Sequence, residues 1–585
     1  MNRIVNIVND SRRQFLASIG LLAAGSAAGL PESCAAADAI GTADTKRDES
    51  EQDGTKFETG SEITPTTIAE AEKIIGISFT ESERVQLAQS ARGQRARYAQ
   101  RRSAGFLPNG LSPAAMFDPL LPGMSLPAGP SAIRLTERAD EALPKNDEDI
   151  AFAPLTSLSR WLRNRTLTSE RLTGIYLDRL KRFDARLHCV VTLTEALAMK
   201  QAKRADREIA AGVYRGPLHG IPWGAKDLFE TKNIRTTWGA MPYKDRIGAE
   251  DAYVVRKLEE GGAVLAAKLT LGALAMGDVW FEDVTRNPFN PKQGSSGSSA
   301  GPASATAAGL VGFALGTETL GSIVSPCMRC GTTGLRPTFG RVARTGAMAL
   351  CWSMDKIGPI CRTVEDAALV LAAINGSDEG DPSSVDAPFR YDATAALGKL
   401  RVGYSPTWFE RGASELDRKA LAALKALGVK LVEVTLPDEP VHALRTILRV
   451  EAAAAFEELT LSDRDDLLVR QNSGAWPSSF RAGWLVPAIE LMQADRLRRR
   501  VMEKIAAVFA DVDMLMSPSF AANLLTTTNF TGHPSLTLRS GFRENGTPDG
   551  VTLWGRLFEE GSLCRVGSAL EKSLNVWSRR PNLVA

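Results

Sequence analysis

A chain of 585 residues, 44% of them hydrophobic, can bury one large core or several smaller ones without disulfide or metal staples. Its 70 Lys and Arg nearly balance 68 Asp and Glu, giving a net charge of +2. That balance excludes a bulk electrostatic basis for binding nucleic acid or an anionic membrane surface.

The first residues have the layout of a twin-arginine export signal over residues 1–37. Ser11-Arg-Arg-Gln-Phe-Leu16 precedes an uncharged stretch to Leu30 and the small-residue segment Ala35-Ala-Ala37, near which cleavage is expected. The apolar run is short for a membrane span, and Pro31-Glu-Ser is a poor context for a lipid anchor on Cys34. A periplasmic or extracellular mature chain follows as the expectation. Residues 38–60 hold almost no large apolar side chain and read as a disordered tether. Thr80 and Glu83 have capping-box spacing and open a helical pattern to about Arg102, with apolar positions at Val85, Leu87 and Tyr98. The arginines from Arg92 to Arg102 read as its solvated face. Pro108, Pro113, Pro119 and Pro122 make an extended connector, so residues 61–130 form an N-terminal helical extension with no evident chemistry.

Residues 131–585 read as one domain. Helical spacing of Leu155, Leu158, Leu162, Leu172, Ile175 and Leu180 is followed by short apolar runs at Cys189–Thr192, Ile221–Ala225 and Ala263–Ala267. Leu400–Tyr404, a helix through Ala420 to Leu427, and Val429–Val434 make a further βαβ unit. A helix from Leu491 to Ala510 runs into Val512–Ser517, and Pro548-Asp-Gly reads as a turn before a late strand ending at Trp554. The alternation predicts an α/β fold with one sheet covered on both faces by helices.

Between Gly294 and Thr338 the chain is rich in Gly and Ser, which commonly marks a linker. The uncharged stretch from Ala300 to Leu315 argues instead for a helix packed in the interior. Buried serines need hydrogen-bond partners, and glycines let amide N–H groups approach a ligand, so two serines can face one site. The chain has only four histidines, none with a Gly-x-Ser-x-Gly turn nearby, and His533 between Gly and Pro reads as structural. A desolvated lysine can replace histidine as base. Lys226 fits, standing at the end of the apolar run Ile221-Pro-Trp-Gly-Ala225, while Asp227 faces the other way as structural support.

Ser296-Gly-Ser-Ser-Ala-Gly301, Gly321-Ser-Ile323, Gly334-Leu-Arg-Pro-Thr338 and Gly220-Ile-Pro-Trp-Gly-Ala-Lys226-Asp227 together resemble the motifs of the amidase signature family. The likeness runs from about Leu155 to Leu570 and implies a single large α/β domain with a mixed, many-stranded sheet between helix layers. It also implies a Ser-Ser-Lys triad of Ser322 as nucleophile, Ser298 as bridging serine after a cis peptide bond, and Lys226 as base. Ser299 would support the lysine, and backbone N–H groups of Thr319, Leu320, Gly321 and Ser322 would hold the oxyanion. Ser295 and Ser296 are rivals for the serine roles and read as turn residues. Leu320, where the family commonly has glycine, and Pro302 depart from the pattern. Met276-Gly-Asp-Val-Trp280 and Trp352-Ser-Met-Asp resemble pocket-lining loops, so Met276, Trp280, Trp352 and Met354 are expected either to line a partly apolar pocket or to pack the core.

The implied activity is hydrolysis of a carboxylic amide, or an ester, through an acyl-enzyme, with a small-molecule amide and water as partners and no cofactor. Cys327-Met-Arg-Cys330 invites a zinc or redox reading, but no second pair stands at ligand spacing, so no metal is expected. Two other functions share the motifs. One is the glutaminase subunit of a tRNA-dependent amidotransferase, against which the export signal argues, and the other is an exported amide-binding protein without catalysis.

Overall fold

The computed structural model describes residues 62–137, 141–410 and 412–583, all within one contact unit, Gly54–Ala585. The export signal and the tether lie outside the described residues.

The domain is built on an eleven-stranded mixed sheet. In chain order its strands are β1 (Val190–Leu193), β2 (Pro222–Lys226), β3 (Val264–Leu269), β4 (Phe313–Glu318), β5 (Thr333–Arg336) and β6 (Lys356–Cys361). They continue with β7 (Arg401–Tyr404), β8 (Lys430–Glu433), β9 (Met514–Pro518), β10 (Ser535–Phe542) and β11 (Pro548–Gly555). The spatial order is β8-β7-β9-β11-β10-β5-β6-β4-β2-β3-β1. β2, β3, β4 and β6 are buried along their whole length, which is why β2 and β3 read as continuous apolar runs rather than alternating ones. β2 runs parallel to both β3 and β4, and β7 parallel to β8 as the βαβ pattern predicts. β4 is antiparallel to β6, so the sheet is mixed.

Two expectations change. The stretch from Ala300 to Leu315 is not one helix: the helix stops at Ala307, Gly309 takes a left-handed φ of 63°, and the chain resumes as β4. A short uncharged apolar run fits a buried strand as well as a buried helix, and composition does not separate them. Pro548-Asp-Gly is already strand, pairing with Gly541 and Phe542; the turn lies earlier, closed by the Arg543 N–H donating to the Thr547 carbonyl.

The N-terminal extension holds α1 (Pro65–Ile75) and α2 (Glu81–Ser103). Thr80 and Glu83 form the expected reciprocal cap. Val85 and Tyr98 are each 55% exposed, so α2 is not held by an apolar face. Its C-terminal end is tied to the domain instead, where Arg101 forks onto the Glu457 carboxylate. The guanidinium of Arg102 lies over the Trp484 ring.

Candidate active site

Lys226 is the last residue of β2, and β4 runs parallel beside it, so the carboxyl ends of both strands open at one place. In parallel sheets that end is where loops gather functional groups. The loop leaving β4 turns at Gly321, whose φ of 93° belongs to the left-handed region, and enters α4 (Val324–Cys330) through Ser322. The loop carrying Ser295–Ser299 approaches from the other side, with a cis peptide bond between Gly297 and Ser298, and enters α3 (Ala300–Ala307). Pro302 falls in the first turn of α3, where its missing N–H has no intrahelical partner to lose. A Cβ at Gly316 would stand 2.6 Å from the Ser299 hydroxyl, so β4 needs glycine there for the serine to sit against it.

These elements converge on a buried lysine whose contacts are all neutral. The Lys226 ammonium nitrogen lies 2.9 Å from Ser298 Oγ, 2.8 Å from Thr317 Oγ1 and 3.2 Å from Ser299 Oγ. The Ser299 hydroxyl also accepts from the Thr317 N–H and donates to the Thr317 carbonyl, fixing both strand and loop. Burial pushes the Lys226 ammonium down to about 7, against an opposing pull from Asp355 and Glu318. Lys268, equally buried, differs in having a carboxylate partner, Asp227, at 3.2 Å. Asp227 further accepts from the backbone and hydroxyl of Thr237, in keeping with a structural role.

Ser322 adjoins this cluster, its carbonyl accepting from the Ser299 N–H. Within the described residues its hydroxyl has no hydrogen-bond partner, and the N–H groups of Leu320, Gly321 and Ser322 are likewise not taken up. Ser295 bonds the Ser296 carbonyl and Ser296 the Ser325 hydroxyl, so neither reaches Lys226. Cys327 and Cys330 at the end of α4 are free and buried, and burial pushes the Cys327 thiol up to about 12. His533 is buried against Phe509, and burial holds its imidazole down at about 3. Among the described residues no group of three His, Cys, Asp or Glu forms a metal site.

The sequence left one part unseen. Glu318, the last residue of β4, is fully buried. One carboxylate oxygen accepts from the N–H groups of Ile323 (2.8 Å) and Val324 (2.9 Å), the two residues after Ser322. The other accepts from Asn529 and pairs with Arg336 at 2.6 Å. Burial pushes the Glu318 carboxyl up, but Arg336 and the surrounding donors outweigh it and hold it at about 2. The carboxylate thereby fixes the turn that presents Ser322. Glu318→Gln leaves Arg336 buried without a counter-charge, so a loss of about 3 kcal/mol in urea denaturation is expected, reduced when Arg336→Met is added.

A cavity of about 400 Å³ adjoins the cluster through Thr317 and Thr319. Trp352 lines it, together with Trp238, Met348, Leu350 and Ile357. Met276, Trp280 and Met354 do not line it. Met354 is fully buried in the core, Trp280 turns its ring onto Phe281, and Met276 packs part-buried against the core. A bulky apolar side chain in a loop next to a pocket serves the core as readily as the pocket.

The family model for amidases matches residues 171–528. The chain is 32% identical over 482 residues to the glutamyl-tRNA(Gln) amidotransferase A subunit of Methylococcus capsulatus, covering 74% of this chain and 99% of that one. The protein of the same name from Moorella thermoacetica is 31% identical over 484 residues, with the same shares covered. Among solved structures, the peptide amidase of Stenotrophomonas maltophilia superposes with a TM-score of 0.66 at 30% identity, covering 74% of this chain and 98% of that one. An α/β domain with a buried lysine–serine cluster at its strand ends therefore sits among enzymes that act on amides. The chain belongs to the amidase signature family.

Proposed function

We propose that this protein is an amidohydrolase that cleaves neutral carboxylic amides through an acyl-enzyme on Ser322. The observation that carries the proposal is Lys226: a fully buried amine with only neutral partners, lowered to about 7 and in hydrogen-bond contact with Ser298. In the unprotonated form it accepts a proton by way of Ser298 as Ser322 Oγ attacks the carbonyl carbon. The N–H groups of the turn from Thr319 to Ser322 stabilise the oxyanion. Ser298 then gives a proton to the departing nitrogen, and water hydrolyses the ester by the same relay.

The walls support a neutral substrate. Of the charged side chains on the cavity, Glu230 pairs with Arg246 at 2.5 Å and Arg344 with Asp381 at 2.9 Å, so both arginines are taken, while Glu250 is exposed to solvent. Asp355 accepts from Thr319 and from the N–H groups of Leu350 and Cys351. Lys356 is buried, which pushes its ammonium well below the usual range. Free glutamine would need an anchor for each of its two charges. The twin-arginine pattern at Ser11–Leu16 further supports work outside the cytosol. A glutaminase role is the second reading, favoured by likeness to amidotransferase A subunits along 99% of their length. Release of aniline from neutral anilides, with no ammonia from glutamine, supports the hydrolase; the reverse result supports the glutaminase.

The pH profile follows from the lysine. Only unprotonated Lys226 accepts a proton, so kcat/KM rises on a single-proton limb centred near pH 7, where its ammonium titrates. A flat profile between about pH 5.5 and about 8.5 would remove Lys226 from the base role.

A further inference from the structure

Part of the cavity wall comes from the N-terminal extension. Pro108, Asn109, Gly110 and Ser112 face the same space as Thr317, Thr319 and Trp352, although the family match begins only at residue 171. Asn109 holds this wall in place. Its side-chain oxygen accepts from the Ala349 N–H at 2.7 Å, and its side-chain nitrogen donates to the carbonyls of Ala349 at 2.8 Å and Ala455 at 3.2 Å. Its own carbonyl accepts from the Trp352 indole N–H at 3.2 Å.

The segment is also anchored at both sides. Upstream, Arg101 is forked onto Glu457. Downstream, the Phe117 ring packs edge-on to Phe339 at 5.1 Å, and the guanidinium of Arg498 lies on its face. Arg498 in turn donates to the hydroxyl and carbonyl of Ser353, within the same loop as Trp352. A strand of chain clamped on both sides to the loop that lines a pocket is a fixed wall rather than a loose tail. Phe106 and Leu107, just before the wall, and Leu111 within it are left exposed at 39%, 62% and 56%, so an apolar surface borders the pocket side.

We infer that residues 108–112 are a specificity-determining wall of the substrate pocket, pinned by Asn109, that limits the size of the apolar group on the neutral amide. The inference rests on the serine acyl-enzyme reading, and the test separates the two. The full chain is treated with a small alkyl fluorophosphonate and with one bearing a bulky arylalkyl group, and the rate of adduct formation with each is followed by intact mass. Two variants are compared with wild type. A Cβ at Gly110 meets no atom within 4 Å, so Gly110→Phe can add bulk at the wall, and its melting curve is compared with that of wild type. Asn109→Ala removes the pin, and its melting curve reports whether the fold survives.

The ratio of bulky-probe to small-probe rates is expected to fall about tenfold in Gly110→Phe and to rise in Asn109→Ala. A ratio within about twofold of wild type in both variants, or equal slowing of both probes, overturns the wall assignment while leaving the nucleophile standing. Wild-type protein that takes up neither probe overturns the serine reading and the wall with it.

Discussion

Ser322→Ala is expected to lower amide turnover on the order of 10⁶-fold while leaving the fold intact. The size of the loss follows from the proposed chemistry: without the hydroxyl no acyl-enzyme forms, and what remains is the contribution of binding and oxyanion donors to direct attack by water. The intact fold follows from the structure. The Ser322 hydroxyl has no hydrogen-bond partner within the described residues, and the turn is held by Glu318 through the neighbouring N–H groups of Ile323 and Val324. Removing a side chain with no partner to orphan costs about 0.5 kcal/mol or less. Steady-state anilide hydrolysis and a urea denaturation curve together check both halves. Turnover within about tenfold of wild type would place the nucleophile elsewhere.

Lys226→Met is expected to cost about 10³- to 10⁴-fold in kcat/KM and to raise stability below neutral pH. Methionine fills similar space beside the hydroxyls of Ser298, Ser299 and Thr317 but accepts no proton, so the limb near pH 7 disappears together with the activity. The stability effect has a definite sign. The folded lysine titrates near 7 and the unfolded one near its ordinary 10.5, so between those values the unfolded chain binds one more proton. Wild-type stability therefore rises with pH across that window, with a slope of about 1.4 kcal/mol per pH step of one. The penalty is largest below pH 7, which is where Lys226→Met gains most over wild type; above about 10.5 the two pH dependences coincide. Urea midpoints at about pH 6 and about pH 9.5 check it, the variant's advantage shrinking from the first to the second. An advantage that does not change with pH would mean that Lys226 is not a shifted titrating group.

The framework of this site was legible because its signals are local. A lysine ending an apolar run, and serines beside glycines within an uncharged stretch, each announce a buried polar group within a few residues. What was not legible depends on partners distant in the chain. Glu318 ends the otherwise uncharged apolar strand Phe313–Glu318, yet its role needs Arg336 and Asn529, which come 18 and 211 residues later. Asn109 between Pro108 and Gly110 has the composition of a turn, and its partners Ala349 and Ala455 lie 240 and 346 residues away. Pattern reading also failed where two elements share a composition. Ala300–Ala307 and Phe313–Glu318 are both small and apolar, and only the left-handed turn at Gly309 separates helix from strand. The pocket-lining residues fared likewise, because Trp352 on the cavity and Met354 in the core stand two residues apart in one loop.

Locating the fluorophosphonate adduct by peptide mapping of the intact-mass product tests the central claim most directly. A single adduct on the peptide containing Ser322, abolished in Ser322→Ala and slowed in Lys226→Met, is the predicted result. An adduct on any other residue, or one that persists in Ser322→Ala, would contradict the proposed acyl-enzyme.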